Sequence, residues 1–118
     1  MTTQLKDQIT AAIGAHSLWR NRLQDAIRAG KSDLDATKVE RDDQCELGKW
    51  LHSPLDEATK GPQYRKVCEQ HALFHKEAAR VLRVALTGKK DDATKLLDSD
   101  FTKISSGLVG LLMEWKRG

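Results

Sequence analysis

His71 and His75 stand four residues apart in the run His71-Ala72-Leu73-Phe74-His75, an H-x-x-x-H pair. On a helix, residues four apart lie one above the other on the same face, with Cβ atoms about 5–6 Å apart. Two imidazoles so placed can bind one metal ion between them. Alone the pair is weak, because helical H-x-x-x-H also arises as a solvated or core-edge pair. Its setting adds weight. Tyr64, Val67, His71, Phe74, His75, Ala78, Val81, Leu82 and Ala85 recur at helical spacing, which puts both histidines in the apolar stripe. A neutral histidine in a core must satisfy both ring nitrogens, and burying two without partners costs a few kcal/mol. A metal on one nitrogen and a carbonyl, carboxylate or water on the other removes that cost.

His16 takes the same kind of inward position in the stripe Leu5, Ile9, Ala12, His16, Trp19, Leu23 and Ala26, where leucine is expected. By itself it reads as a satisfied core histidine; with two others in one small bundle it is a third ligand. Cys45, between acidic residues and Leu47-Gly48, supplies the fourth. A thiolate and three imidazoles suit zinc, which is borderline-soft, tetrahedral and content with mixed nitrogen and sulfur ligands. Cys68, three residues before His71, reads as a small apolar filler on the helix flank. His52, beside Ser53-Pro54, reads as an exposed turn residue, and Asp42 and Asp43 are outer-shell candidates by their nearness to Cys45.

Other chemistries lack their residues. Ala72 follows His71 where a metalloprotease places glutamate, and the inward acids of a di-iron bundle, usually in Glu-x-x-His motifs, are missing. There is no Gly-rich phosphate loop and no recognisable nucleophile setting. Four protein ligands close a tetrahedral site and leave no position for a catalytic water, so an enzyme is not expected.

Three long helices are needed to position these residues. The first spans residues 3–29 and stops at Ala29-Gly30. Residues 31–62 form a connector with one or two short helices, capped by Asp33 and by Asp42 or Asp43, and packed on the bundle by Leu47, Trp50 and Leu51. Ser53-Pro54 and Gly61-Pro62 are turn signals. The second long helix spans residues 63–87 and ends at Gly88. The third spans residues 91–116, with Asp91 and Asp92 at its positive end and Lys116-Arg117 at its negative one. Its stripe is Leu97, Phe101, Ile104, Leu108, Leu111 and Trp115. The fold class is all-α: an antiparallel four-helix-type bundle with a short-helix connector between the first and second long helices. Residues 1–118 are expected to form a single domain.

The 118 residues are 39% hydrophobic and 31% charged, which fits a soluble helical protein and not a disordered chain. The net charge of +3 is spread among interleaved acids, with no basic stripe and stacking aromatics, so no nucleic-acid partner is expected. The longest apolar-leaning run, residues 107–113, is too short to span a bilayer, and no export signal is visible. A cytoplasmic, reducing setting follows as the expectation, which disfavours a Cys45–Cys68 disulfide. A homodimer through the apolar face from Leu108 to Trp115 is compatible with the pattern.

The blocks Ala15-His16-Ser17-Leu18-Trp19, Cys45-Glu46-Leu47-Gly48-Lys49-Trp50-Leu51 and His71-Ala72-Leu73-Phe74-His75, in that order, resemble the chemoreceptor zinc-binding (CZB) domains of bacteria. The Cys-x-Leu-Gly-x-Trp and H-x-x-F-H blocks are the most specific, and the likeness covers nearly the whole chain. The resemblance implies a four-helix bundle with zinc held by His16, Cys45, His71 and His75. It also implies a regulatory module, often dimeric, attached to chemoreceptor signalling regions or diguanylate cyclases. Such domains are linked to responses to zinc and to oxidants such as hypochlorous acid, which would place the redox-reactive residue at Cys45. This chain departs from the pattern in carrying no output region, so it is expected either to act through a partner or to belong to a longer protein. The competing expectations are a bundle whose zinc only stabilises an interaction surface, and a bundle without metal.

Overall fold

Apolar residues spaced by three and four turn most of this chain into amphipathic helices that bury one stripe each. The computed structural model describes residues 3–55 and 59–117; the expected irregular connector includes residues 56–58, which lie outside the described residues. The elements are α1 (Thr3–Ser17), α2 (Trp19–Ala29), α3 (Ala36–Glu40), α4 (Glu46–Leu51), α5 (Pro62–Leu86), α6 (Lys90–Leu96) and α7 (Thr102–Arg117), with a π-helical turn over Leu97–Phe101. The described residues are helices and connecting turns, without strands.

The predicted first helix is two. Leu5, Ile9, Ala12, His16, Trp19, Leu23 and Ala26 are all buried, so the stripe runs straight through, but the backbone breaks at Leu18. His16 Nδ1 and Ser17 Oγ reach back to the carbonyls of Ala12 and Ile13, at 2.8 and 2.7 Å. Side chains bonding to carbonyls four residues back compete with the helical ladder and bend helices. The end is as predicted: Gly30 has φ 69° and returns its N–H to the Ala26 carbonyl at 2.8 Å, a left-handed closure that glycine adopts without a Cβ penalty.

The caps of the connector helices differ from those expected. Asp35, not Asp33, caps α3, accepting the Thr37 N–H at 2.9 Å. Neither Asp42 nor Asp43 caps α4; the Cys45 sulfur does so itself, accepting the Gly48 N–H at 3.3 Å. Pro62 opens α5 at its first position, where no N–H is needed. The third long helix also departs from regularity. In the widened turn at Leu97–Phe101, the Leu97 carbonyl accepts the Thr102 hydroxyl at 2.7 Å. Arg20 from α2 donates to the same carbonyl and to the Thr102 hydroxyl, and pairs with Asp98.

α5 is the central rod, packing against α2, α3, α6 and α7, while α1 packs on α7 and α4. Phe74, Phe101, Leu23, Leu82, Leu97, Leu108 and Leu112 are fully buried between the rods. The connector lies along α5 in reverse order: Glu40 pairs with Arg83 at 2.7 Å, and the Leu51 carbonyl accepts the Tyr64 hydroxyl at 2.6 Å. Leu47 and Leu51 are buried and Trp50 stacks near Trp115, as expected of the residues holding the connector down. On the stretch from Leu108 to Trp115, Leu108, Leu112 and Trp115 are buried within one chain and Met113 is exposed. The third rod must cover both α1 and α5, and that uses its apolar stripe.

Candidate metal centre

Three chain segments meet at one point. α1 brings His16 in its last turn, α5 brings His71 and His75 from its middle, and the start of α4 brings Cys45. All three imidazoles are buried, with His71 at 0% exposure, and Cys45 is partly exposed. One nitrogen or sulfur atom from each of the four lies within 4.8 Å of all the others. The Cys45 sulfur is 3.2 Å from His71 Nε2, 3.5 Å from His75 Nε2 and 3.9 Å from His16 Nε2. His71 Nε2 and His75 Nε2 are 3.0 Å apart.

These distances fit a metal. A tetrahedral zinc with bonds of about 2.3 Å to sulfur and about 2.0–2.1 Å to nitrogen sets its ligand atoms about 3.3–3.6 Å apart. The orientation fits as well. His16 Nδ1–H donates to the Ala12 carbonyl and His75 Nδ1–H to the Val39 carbonyl, at 2.8 and 2.9 Å. Each bond assigns the proton to Nδ1 and turns the Nε2 lone pair to the centre, the arrangement in which a second partner orients a metal-binding imidazole. Without a cation, only the Cys45 S–H or a His71 Nε2–H can donate to the two Nε2 lone pairs that His16 and His75 turn inward. His71 is the exception in its outer partner: its buried Nδ1 has none among the described residues.

Burial sets the protonation states. It pushes His16 down to about 4, with the Ala12 carbonyl opposing and the neighbouring His75 adding to the fall. It pushes His71 down to about 3, helped by His75, His16 and His52, and it lowers His75 against the opposing Val39 carbonyl and Asp42. Burial raises the Cys45 thiol, against the Gly48 N–H that favours the thiolate. The pocket therefore presents neutral imidazoles ready to bind, and a thiol that a cation would convert to thiolate. In metal-free protein, His16 and His71 take protons in the unfolded chain before they do in the folded one. Stability is accordingly full above the ordinary histidine value of 6.5 and is lost as pH falls from there through about 4 and about 3. Urea denaturation of metal-free protein at pH 7.5 and pH 5 is expected to show a lower midpoint at pH 5.

The structure brings together the four residues selected from the sequence and leaves the others out. Cys68 packs against the core from the flank of α5. His52 is exposed and faces Asp42, 3.5 Å between Nε2 and Oδ1. Asp43 bonds to Arg41 and Gln44, not to a ring nitrogen. The outer partners are instead backbone carbonyls. That of Ala12 is one helical turn before His16, a position readable from the helix; that of Val39 comes from a different element and leaves no sequence signal. Gly48 was also missed as a determinant of the site. A Cβ there would lie 1.7 Å from the Asp42 carbonyl oxygen, so only glycine lets the loop before Cys45 lie against α4.

A family model described as a chemoreceptor zinc-binding domain matches residues 16–82, more than half of the chain, and includes His16, Cys45, His71 and His75. No curated protein and no solved structure matches the chain. No helix among the described residues is long and apolar enough to cross a membrane. With a zinc-suited cluster of three histidines and one cysteine inside the matched segment, the chain belongs to the chemoreceptor zinc-binding domain family.

Proposed function

We propose that residues 1–118 form a single cytoplasmic regulatory domain in which His16, Cys45, His71 and His75 hold one zinc ion whose occupancy, or the oxidation state of Cys45, is the signal. The observation that carries this is the convergence of three Nε2 atoms and one sulfur from α1, α5 and the start of α4, with the Nδ1 atoms of His16 and His75 anchored outward on carbonyls. When bound, zinc would keep the Cys45 sulfur as thiolate and tie the start of α4 to α1 and α5. His71 and His75 form a two-point grip on one rigid helix. Cys45 is carried by the connector, whose helices are only five and six residues long. The connector is thus the element whose hold on the bundle changes when the metal tether at Cys45 changes. We read the architecture as an antiparallel four-helix-type bundle in which this connector takes the second place.

Under oxidation the Cys45 thiolate would be the reacting group. With hypochlorous acid it gains the OH as sulfenic acid and chloride leaves, so the sulfur is oxidised by two electrons and the chlorine reduced. A sulfenic acid is a poorer metal ligand than a thiolate, so the tether is released. Four protein ligands leave no position for a substrate, which favours regulation over catalysis. The proposed partners are a second copy of the chain and an output region of chemoreceptor or diguanylate cyclase type, with neither nucleic acid nor membrane insertion involved. The second reading is a purely structural zinc.

Hydrogen exchange before and after zinc removal by a chelator separates the two. A regulatory site is expected to give up zinc and lose protection over residues 36–51, while the α5–α7 core keeps its protection. Global loss of protection, or zinc that cannot be removed short of unfolding, would assign the ion to structure. In the redox arm, mild hypochlorous acid is expected to modify Cys45 well before Cys68; equal modification would count against a sensing thiolate.

A further inference from the structure

We infer that a cleft beside α1 and α2 is the route by which small thiol-reactive molecules reach Cys45, and that Arg22 at this cleft selects anionic ones. The cleft has a volume of about 280 Å³ and is lined by Ala11 and Ala15 of α1, Trp19 and Arg22 of α2, and the ligands His16 and Cys45. His71 and His75 do not line it. Of the four convergent residues, only Cys45 is partly exposed, the three imidazoles being buried. The cluster is therefore one-sided: a reagent arriving from solvent meets the sulfur and His16 first, with the α5 pair behind them.

Arg22 is fixed at this opening. Its guanidinium carbon lies 4.2 Å from the centre of the Trp19 ring, a cation–π contact. Among the described residues it makes no ion pair, so its charge faces the cleft undiminished by a carboxylate partner. Glu46 shares the lining, and its carboxylate is 3.7 Å from the Lys49 ammonium, which offsets it. A fixed cation beside a confined approach concentrates anions there and loses that effect as salt screens it. Ala11, Ala12 and Ala15 line the α1 side of the passage, so a leucine at Ala15 is expected to narrow it.

The inference deepens the reading of Cys45 as the responsive ligand, but its test does not depend on sensing. The zinc-loaded chain of residues 1–118 is treated separately with iodoacetate and with iodoacetamide, reagents of similar size that differ in charge. In both reactions the sulfur of the thiolate forms the S–C bond and iodide leaves. Peptide mass spectrometry follows Cys45 and Cys68 in the same samples, so Cys68 serves as the internal reference.

In Arg22→Gln the iodoacetate-to-iodoacetamide rate ratio at Cys45 is expected to fall about five-fold, with the ratio at Cys68 unchanged. Raising salt in the unsubstituted chain is expected to shrink the same ratio. Ala15→Leu is expected to slow both reagents at Cys45 and neither at Cys68. An unchanged ratio in Arg22→Gln, an equal slowing of both reagents by that substitution, or a Cys45 that resists both reagents would overturn the inference. Failure of the connector to loosen on zinc loss would instead overturn the sensing role and leave these ratios standing.

Discussion

Gly48→Ala is expected to destabilise the zinc-loaded domain by about 3–5 kcal/mol, among the largest effects of any single methyl group. Helix propensity alone predicts the opposite sign, since alanine in place of glycine inside a helix gains about 0.5–1 kcal/mol. The difference is contact. The new Cβ would lie 1.7 Å from the carbonyl oxygen of Asp42 and 2.7 Å from its carbonyl carbon, both backbone atoms with no rotamer to escape into. The loop before Cys45 must move away from α4. In doing so it displaces the sulfur that caps this helix through the Gly48 N–H. Loss of packing at Leu47 and Leu51 and weakened zinc binding are expected together. Gly110→Ala is the control, because that helical glycine is exposed and a Cβ there meets nothing within 4 Å. Urea denaturation should show Gly110→Ala neutral or slightly stabilising; equal behaviour of the two variants would contradict the close-approach account.

His71→Leu is expected to split the zinc-bound and metal-free states in opposite directions. With zinc, it removes a ligand whose Nε2 lies 3.2 Å from the Cys45 sulfur. Loss of an outer-shell partner already costs about 10–100-fold in affinity, so loss of a direct ligand should cost at least about 100-fold. Without zinc, the same substitution removes a fully buried imidazole whose Nδ1 has no partner among the described residues and whose pKa is pushed down to about 3. Leucine of similar volume relieves that burden, so metal-free His71→Leu should be at least as stable as the metal-free parent. Zinc titration followed by thermal melting reads both halves. The parent's Tm should rise with zinc, as binding to the folded state requires, and the variant's should barely move. His52→Leu, at an exposed histidine outside the cluster, should leave zinc binding unchanged within about three-fold.

The helices and the three clustered histidines are legible in the sequence for one reason. A 3.6-residue stripe records burial, and His16, His71 and His75 stood out because each occupied a position on it that leucine should hold. All three are buried in the structure. What escaped was set by contacts between elements or by competition within one. The break at Leu18 leaves the stripe in register, so periodicity cannot show it. The widened turn at Leu97–Phe101 is bridged by Arg20, more than seventy residues earlier in the chain. Capping was assigned to Asp33 and to Asp42 or Asp43 on residue preference, whereas Asp35 and the Cys45 sulfur perform it. The Val39 carbonyl behind His75 is backbone, and backbone carries no sequence signal. On the Leu108 to Trp115 stretch the stripe marks Leu108, Leu112 and Trp115, which α1 and α5 cover, while Met113 stays exposed.

Zinc-edge X-ray absorption of the zinc-loaded chain tests the central claim most directly. Three histidines and one cysteine predict one sulfur scatterer at about 2.3 Å and three nitrogens at about 2.0 Å around a single zinc. Two sulfur scatterers would bring Cys68 into the site. None would remove Cys45 from it. Either result would contradict a zinc held by His16, Cys45, His71 and His75.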